Sequence, residues 1–166
     1  MLETARLVLR PLTTDDADSL VELHADPRVN RFVSVFTRER AVERLASNER
    51  QWAERGYGLY AVSLKSTGRF IGRCGLKYWP QFDEVEAGWV LRPDAWGHGY
   101  ATEAARACVD WGFTHLGVDY ITAMIAPANI ASRRVAERLG FVPDRPEMLA
   151  GSKVIVHVLV RSGVQG

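Results

Sequence analysis

Val85-Glu86-Ala87-Gly88-Trp89-Val90-Leu91-Arg92-Pro93-Asp94-Ala95-Trp96-Gly97-His98-Gly99-Tyr100-Ala101-Thr102-Glu103-Ala104 reads as an apolar strand, a proline stop, a glycine-punctuated turn and the start of a helix. The first N–H groups of a helix have no intrahelical acceptor, so this arrangement offers unpaired donors to an anion. Two glycines remove the side chains that would hold a phosphate at a distance. A dinucleotide-binding fingerprint does not fit. Its third glycine is replaced by Thr102, and the motif follows a strand meander rather than opening a βαβ unit.

The 166 residues suit one domain spanning the whole chain, 1–166, and apolar and charged contents of 47% and 25% are ordinary for a folded globular protein. A formal charge of +1 argues against a nucleic-acid partner. Cys74 and Cys108 have neither metal-ligand nor disulfide-framework spacing, so no metal is expected. No apolar run approaches membrane-spanning length and no signal-peptide pattern opens the chain, which predicts a cytoplasmic protein without a membrane partner.

Outward from the turn, the pattern predicts a strand at 6–10 and a helix capped from Thr13 to Asp16 and ended at Asp26-Pro27. A second helix over 38–55 is stopped by Gly56. Three strands follow, at 57–64, 69–78 and 83–91, the first two joined by a turn at Lys65-Ser66-Thr67-Gly68. Helical periodicity returns at 99–116, with small residues on the inner face, and again at 128–139. Strands occupy 120–126, the neighbourhood of Phe141, and 153–160. The order β-α-α-β-β-β-α-β-α-β-β is that of an α+β, mixed α/β domain.

A second constellation opens the last helix. Asn129 stands at a capping position and Ser132 one turn along, with Gly140-Phe141 closing the segment. Together with the glycine turn, these residues resemble the acetyl-CoA-binding core of the GNAT N-acetyltransferase superfamily. Thr4-Ala5-Arg6-Leu7-Val8-Leu9-Arg10, Asp26-Pro27-Arg28-Val29, Thr67-Gly68-Arg69-Phe70-Ile71-Gly72 and Glu86-Ala87-Gly88-Trp89 are similar to the RimJ/RimL-like branch, which acetylates ribosomal-protein N-termini.

The resemblance implies a GNAT-like fold, with a twisted, mostly antiparallel mixed sheet of about seven strands and helices on both faces. It implies acetyl-CoA as co-substrate, a small-molecule or peptide amine as acceptor, and a homodimer as a common assembly. The backbone of Val90, Leu91 and Arg92 would pair with the pantetheine arm, with an N–H near Leu91 meeting the oxyanion. The amides of Gly97, His98, Gly99, Tyr100, Ala101 and Thr102 would hold the pyrophosphate. Asn129 would hydrogen-bond the pantetheine, and Ser132 would sit by the thioester sulfur and assist the departing thiolate.

Two positions depart from the superfamily pattern. Trp96 replaces a usual Gln or Arg, and Ala136 stands where many members carry a general-acid Tyr. Glu86 is the candidate general base, with Asp83 and Glu84 as rivals; strand alternation puts Glu84, not Asp83, on its face. Phe32, Phe36, Tyr78 and Trp79 are candidates to line the acceptor side. The vacant Tyr position keeps a second reading open, a non-catalytic acyl-CoA-binding or sensing domain.

Overall fold

A computed structural model describes residues 1–163; the last three residues of the expected 1–166 domain lie outside them. Eight strands form one sheet in the order β1-β2-β3-β4-β5-β6-β8-β7. They are β1 (Leu2–Glu3), β2 (Leu7–Pro11), β3 (Leu59–Leu64), β4 (Phe70–Trp79), β5 (Glu84–Leu91), β6 (Tyr120–Ile125), β7 (Val142–Leu149) and β8 (Ser152–Val160). All neighbours pair antiparallel except β5 and β6. The helices are α1 (Ala17–Ala25), α2 (Arg38–Arg55), α3 (Tyr100–His115) and α4 (Ile130–Leu139).

The expected seven strands become eight because Leu2–Glu3 folds back on β2, setting Leu2 opposite Leu9. The strand expected around Phe141 is an eight-residue edge strand whose Pro143 and Pro146 blunt a free sheet edge. Local signals set the helix ends. Thr13 and Asp16 form a capping box ahead of α1, and Gly56, at φ 75°, closes α2.

Alternation along the strands separates two cores. On one face Tyr60, Val62, Cys74, Leu76, Ala87 and Ile121 pack under α3 and α4. On the other, Ala61 and half-buried Leu59 and Phe70 meet α1 and α2 through Leu20, Ala41 and Leu45. Gly112 sets how closely α3 approaches the sheet: a Cβ there would lie 2.9 Å from Leu76 Cδ1. Helices therefore cover both faces, with α1 and α2 on the face opposite α3 and α4.

Candidate active site

The site is built on a fork. β5 and β6 pair at one position only, Glu86 opposite Thr122, where the Thr122 hydroxyl donates to the Val85 carbonyl at 3.3 Å. Beyond it β5 stays paired to β4 as far as Leu91, and β6 stays paired to β8 as far as Ile125. The inner edges of the two parallel strands are thus left unpaired as they run toward α3 and α4.

Hydrogen-bond parity shows which groups face the opening. Arg92 N–H donates to the Ile71 carbonyl at 2.7 Å, so the rungs at 92, 90, 88 and 86 turn toward β4. A Cβ on Gly72 would lie 2.2 Å from the Val90 carbonyl oxygen, which places that oxygen on the β4 side. Of Val90, Leu91 and Arg92, only Leu91 faces the fork; Ala87 and Trp89 share its direction. This corrects the expectation for Val90 and Arg92, and the reason is the two-residue alternation of an antiparallel ladder. Trp96 finds its purpose here, since its indole N–H donates to the Leu91 carbonyl at 3.0 Å and ties the turn to the strand.

The glycine turn has the geometry an anion cradle needs. Gly97 and Gly99 both sit at φ 80°, and no side chain caps the start of α3. Among the described residues, the amides from Gly97 to Thr102 have no acceptor, and the buried Thr102 hydroxyl has no partner. His98 is exposed and stacks on Tyr100 at 5.3 Å, so its contribution is its backbone. Sequence reasoning missed one neighbour. The Arg6 guanidinium lies 4.5 Å from the Tyr100 ring centroid and would be 3.5 Å from a Cβ on Gly99. It is anchored there by Glu103, which accepts from Arg6 Nε at 2.8 Å, Arg6 N at 3.0 Å and the Thr4 hydroxyl at 2.6 Å. Burial opposes ionisation of Glu103, but these hydrogen bonds hold its carboxyl below the usual range. The contact spans 97 positions in the chain, and no local pattern announces it.

At the end of β6, the Asn129 side-chain oxygen accepts from Ser132 N–H at 3.2 Å and caps α4. Its amide NH2 has no partner among the described residues, so capping and ligand binding can coexist on this residue. The Ser132 hydroxyl is half-buried and unused by the fold. Ala136 is fully buried in the core beneath α4.

Three carboxylates were rivals for the base. Asp83 is exposed and accepts from the Tyr78 hydroxyl at 2.8 Å. Glu84 is buried and held by Arg145 and by the Tyr120 hydroxyl at 2.9 Å. Among the described residues neither Asp83 nor Glu86 has an ion pair within 4 Å, but Asp83 is exposed and taken up by Tyr78, whereas Glu86 is half-buried with its carboxylate unclaimed. Burial pushes its carboxyl up to about 7 against the opposing charges of Lys77, Arg73 and Arg44. The Trp79 indole N–H also favours the charged form, although it makes no hydrogen bond of ordinary geometry. Glu86 Oε1 leans along the strand, 3.6 Å from where a Cβ on Gly88 would be, toward the opening fork.

Among the expected acceptor-side aromatics, Trp79 lies on the Glu86 face, whereas alternation turns Tyr78 to the opposite core. Phe36 is buried against His24 at 4.5 Å.

An uncapped helix start, an orphaned Thr102 hydroxyl beside it and an unpaired strand edge leading to it together fit a long ligand with an anionic end, the form of coenzyme A. The acetyltransferase (GNAT) domain family matches residues 6–142. The chain is 39% identical over 146 residues to an uncharacterized protein, YkkB, of Bacillus subtilis, covering 84% of this chain and 83% of that one. An acetyltransferase from Agrobacterium tumefaciens superposes with a TM-score of 0.85 at 31% identity, over 96% of this chain and 94% of that one. The ribosomal-protein-S5-alanine acetyltransferase of Vibrio fischeri shares the fold, with a TM-score of 0.78 at 18% identity over 99% and 98% of the two chains.

Proposed function

The chain belongs to the GNAT acetyltransferase family, and we propose that it transfers acetyl from acetyl-CoA to a primary amine, with Glu86 as general base and Ser132 assisting the leaving thiolate. It is an acetyl-CoA-dependent acyltransferase by family. The observation that carries the finer reading is Glu86, an ion-pair-free carboxyl near pKa 7 at the mouth of the fork.

The amides of Gly97 to Thr102 hold the diphosphate, with Arg6 as a neighbouring cation. The fork-facing backbone of β5 at Trp89 pairs with the pantetheine arm, and the Asn129 amide NH2 reaches it from the opposite side. Acetyl-CoA bound there supplies an activated thioester. Leu91 N–H is the donor placed to meet negative charge on the acyl oxygen. Glu86 takes the amine proton, directly or through one water, as the C–N bond forms. The Ser132 hydroxyl donates to the thiolate as the C–S bond breaks, with water replacing its proton.

Proton energetics favour a particular amine. An α-amine titrates at about 7.7–8.0, within about one unit of Glu86, so the transfer is nearly level. A lysine side chain at about 10.4 is uphill by roughly 4–5 kcal/mol. These energetics favour a protein N-terminal amine, or a small-molecule amine of similarly low pKa, as the acceptor. The test is release of free CoA thiol from acetyl-CoA across a panel of short peptides and small amines. Release dependent on the acceptor supports transfer. Binding of acetyl-CoA with no release from any acceptor supports the sensing reading instead.

A further inference from the structure

Around Glu86 the sheet face is strongly and locally basic. Lys77 stands directly opposite Glu86 in the β4–β5 register, and Arg73 stands opposite Val90. Arg44 comes from α2 and lies 5.8 Å from the centroid of the Phe36 ring. Among the described residues, none of these three cations forms an ion pair within 4 Å, although Arg and Asp or Glu pair freely elsewhere. Glu84, the other carboxylate on this face, is consumed by Arg145. Three positive charges therefore face the single negative charge of Glu86.

Arg73 is aimed by its neighbours. His24 is buried, and its Nδ1 lies 2.7 Å from the Ser34 carbonyl, so that nitrogen carries the proton. Its Nε2 is left as an acceptor and takes Arg73 Nε–H at 3.3 Å. Burial and the Arg73 charge keep the ring neutral, its pKa pushed down to about 4. This contact orients the guanidinium while leaving its two terminal nitrogens without a partner. Lys77 Nζ rests 4.0 Å from the Trp79 ring centroid. Both cations are half-buried, and burial lowers the pKa of each. The buried Trp79 indole N–H is a further donor without a regular partner. The cradle for the cofactor phosphates belongs to α3, which packs on the opposite face.

Resting on the transfer reading above, we infer that the acceptor carries an anionic group, such as a carboxylate, close to its primary amine, and that Lys77 and Arg73 bind that group while Glu86 receives the amine proton. An antiparallel hydrogen-bonded pair sets Cα atoms about 5.5 Å apart, so Lys77 and Glu86 present their charges at neighbouring points of the same small ligand. Unpaired, partly desolvated cations gain most from such a ligand and would repel a polycationic amine.

The experiment measures thiol release at saturating acetyl-CoA with matched acceptor pairs. One arm compares free amino acids with their carboxamides, each rate expressed per neutral amine because the free carboxylate raises the amine pKa; the other compares tripeptides bearing Asp or Glu at the second position with their Asn or Gln counterparts. The anionic member is expected to show a kcat/KM at least about tenfold higher in the arm that corresponds to the natural ligand. Lys77→Gln and Arg73→Gln should shrink that preference to within about threefold by the same charge loss, with KM for acetyl-CoA unchanged. Lys77→Glu should turn the preference toward cationic amines. In the wild-type protein, KM for the anionic acceptor should rise with ionic strength, a readout that needs no variant. Equal or better use of neutral and cationic acceptors overturns the inference while leaving acetyl transfer standing. Thermal stabilisation by acetyl-CoA without thiol release from any acceptor overturns both.

Discussion

Glu86 faces Thr122 across the single rung that joins β5 to β6, and beyond that rung the two strands no longer pair with each other. The base candidate is thus fixed by the same backbone event that opens the cofactor groove. Pairing farther along would close the groove; pairing ending earlier would leave Glu86 on a loose edge.

Holding a carboxyl in that position has a cost in stability. Its folded pKa of about 7 lies above the ordinary 4.5, so the folded state keeps a proton that the unfolded chain releases. The penalty is absent below pH 4.5, grows as pH rises, and is complete above about 7. Glu86→Gln should therefore be more stable than wild type by about 1–3 kcal/mol at pH 8 and indistinguishable at pH 4. Thermal unfolding at the two pH values checks this.

Asn129 combines a cap and a free amide, and the two can be separated. Asn129→Asp keeps the oxygen that accepts Ser132 N–H but loses the NH2 donor. It should fold normally and bind acetyl-CoA several-fold more weakly. Asn129→Ala should show the same weakening and lose about 1 kcal/mol of stability besides. Calorimetric binding alongside denaturant unfolding distinguishes the pair.

Gly97 is left-handed at φ 80°, with open space where a Cβ would go. Gly97→Ala should fold at a backbone cost of about 1–2 kcal/mol. Its methyl group would stand at the anion cradle, so KM for acetyl-CoA should rise about tenfold by loss of one or two amide contacts while kcat changes little.

The Ser132 hydroxyl supports no part of the fold; the cap uses its backbone N–H. Ser132→Ala should thus leave the Tm and acetyl-CoA affinity unchanged and lower kcat. Wild-type kcat in this variant removes Ser132 from the mechanism.

Features set by neighbouring residues were legible before folding. The stop of α2 follows from Gly56, and the start of α3 follows from the glycine turn. The inner face of α3 is legible from its small residues down to Gly112. The cofactor end was readable because it lies in two short continuous segments. The acceptor end was not, since Arg73 depends on His24 from another element, and Glu84 is removed as a rival by Arg145, 61 positions away. The same alternation that puts Glu84 and Glu86 on one face sends the backbone groups of Val90 and Arg92 to β4 and leaves Leu91 to the fork. The first strand is not legible in the sequence because two residues carry no periodicity.

The central claim is that Glu86 removes the amine proton. The decisive measurement is the pH dependence of kcat/KM for the acceptor, at saturating acetyl-CoA, in wild type and Glu86→Gln. The wild-type profile should contain an ionisation near 7 in addition to that of the acceptor amine, and its acid limb should steepen below that pH. In Glu86→Gln that ionisation should vanish, leaving the amine alone, with the rate above pH 8 lower by about a hundredfold or more. A variant profile with the same two ionisations, or wild-type rates at every pH, would contradict the assignment of Glu86 as the base.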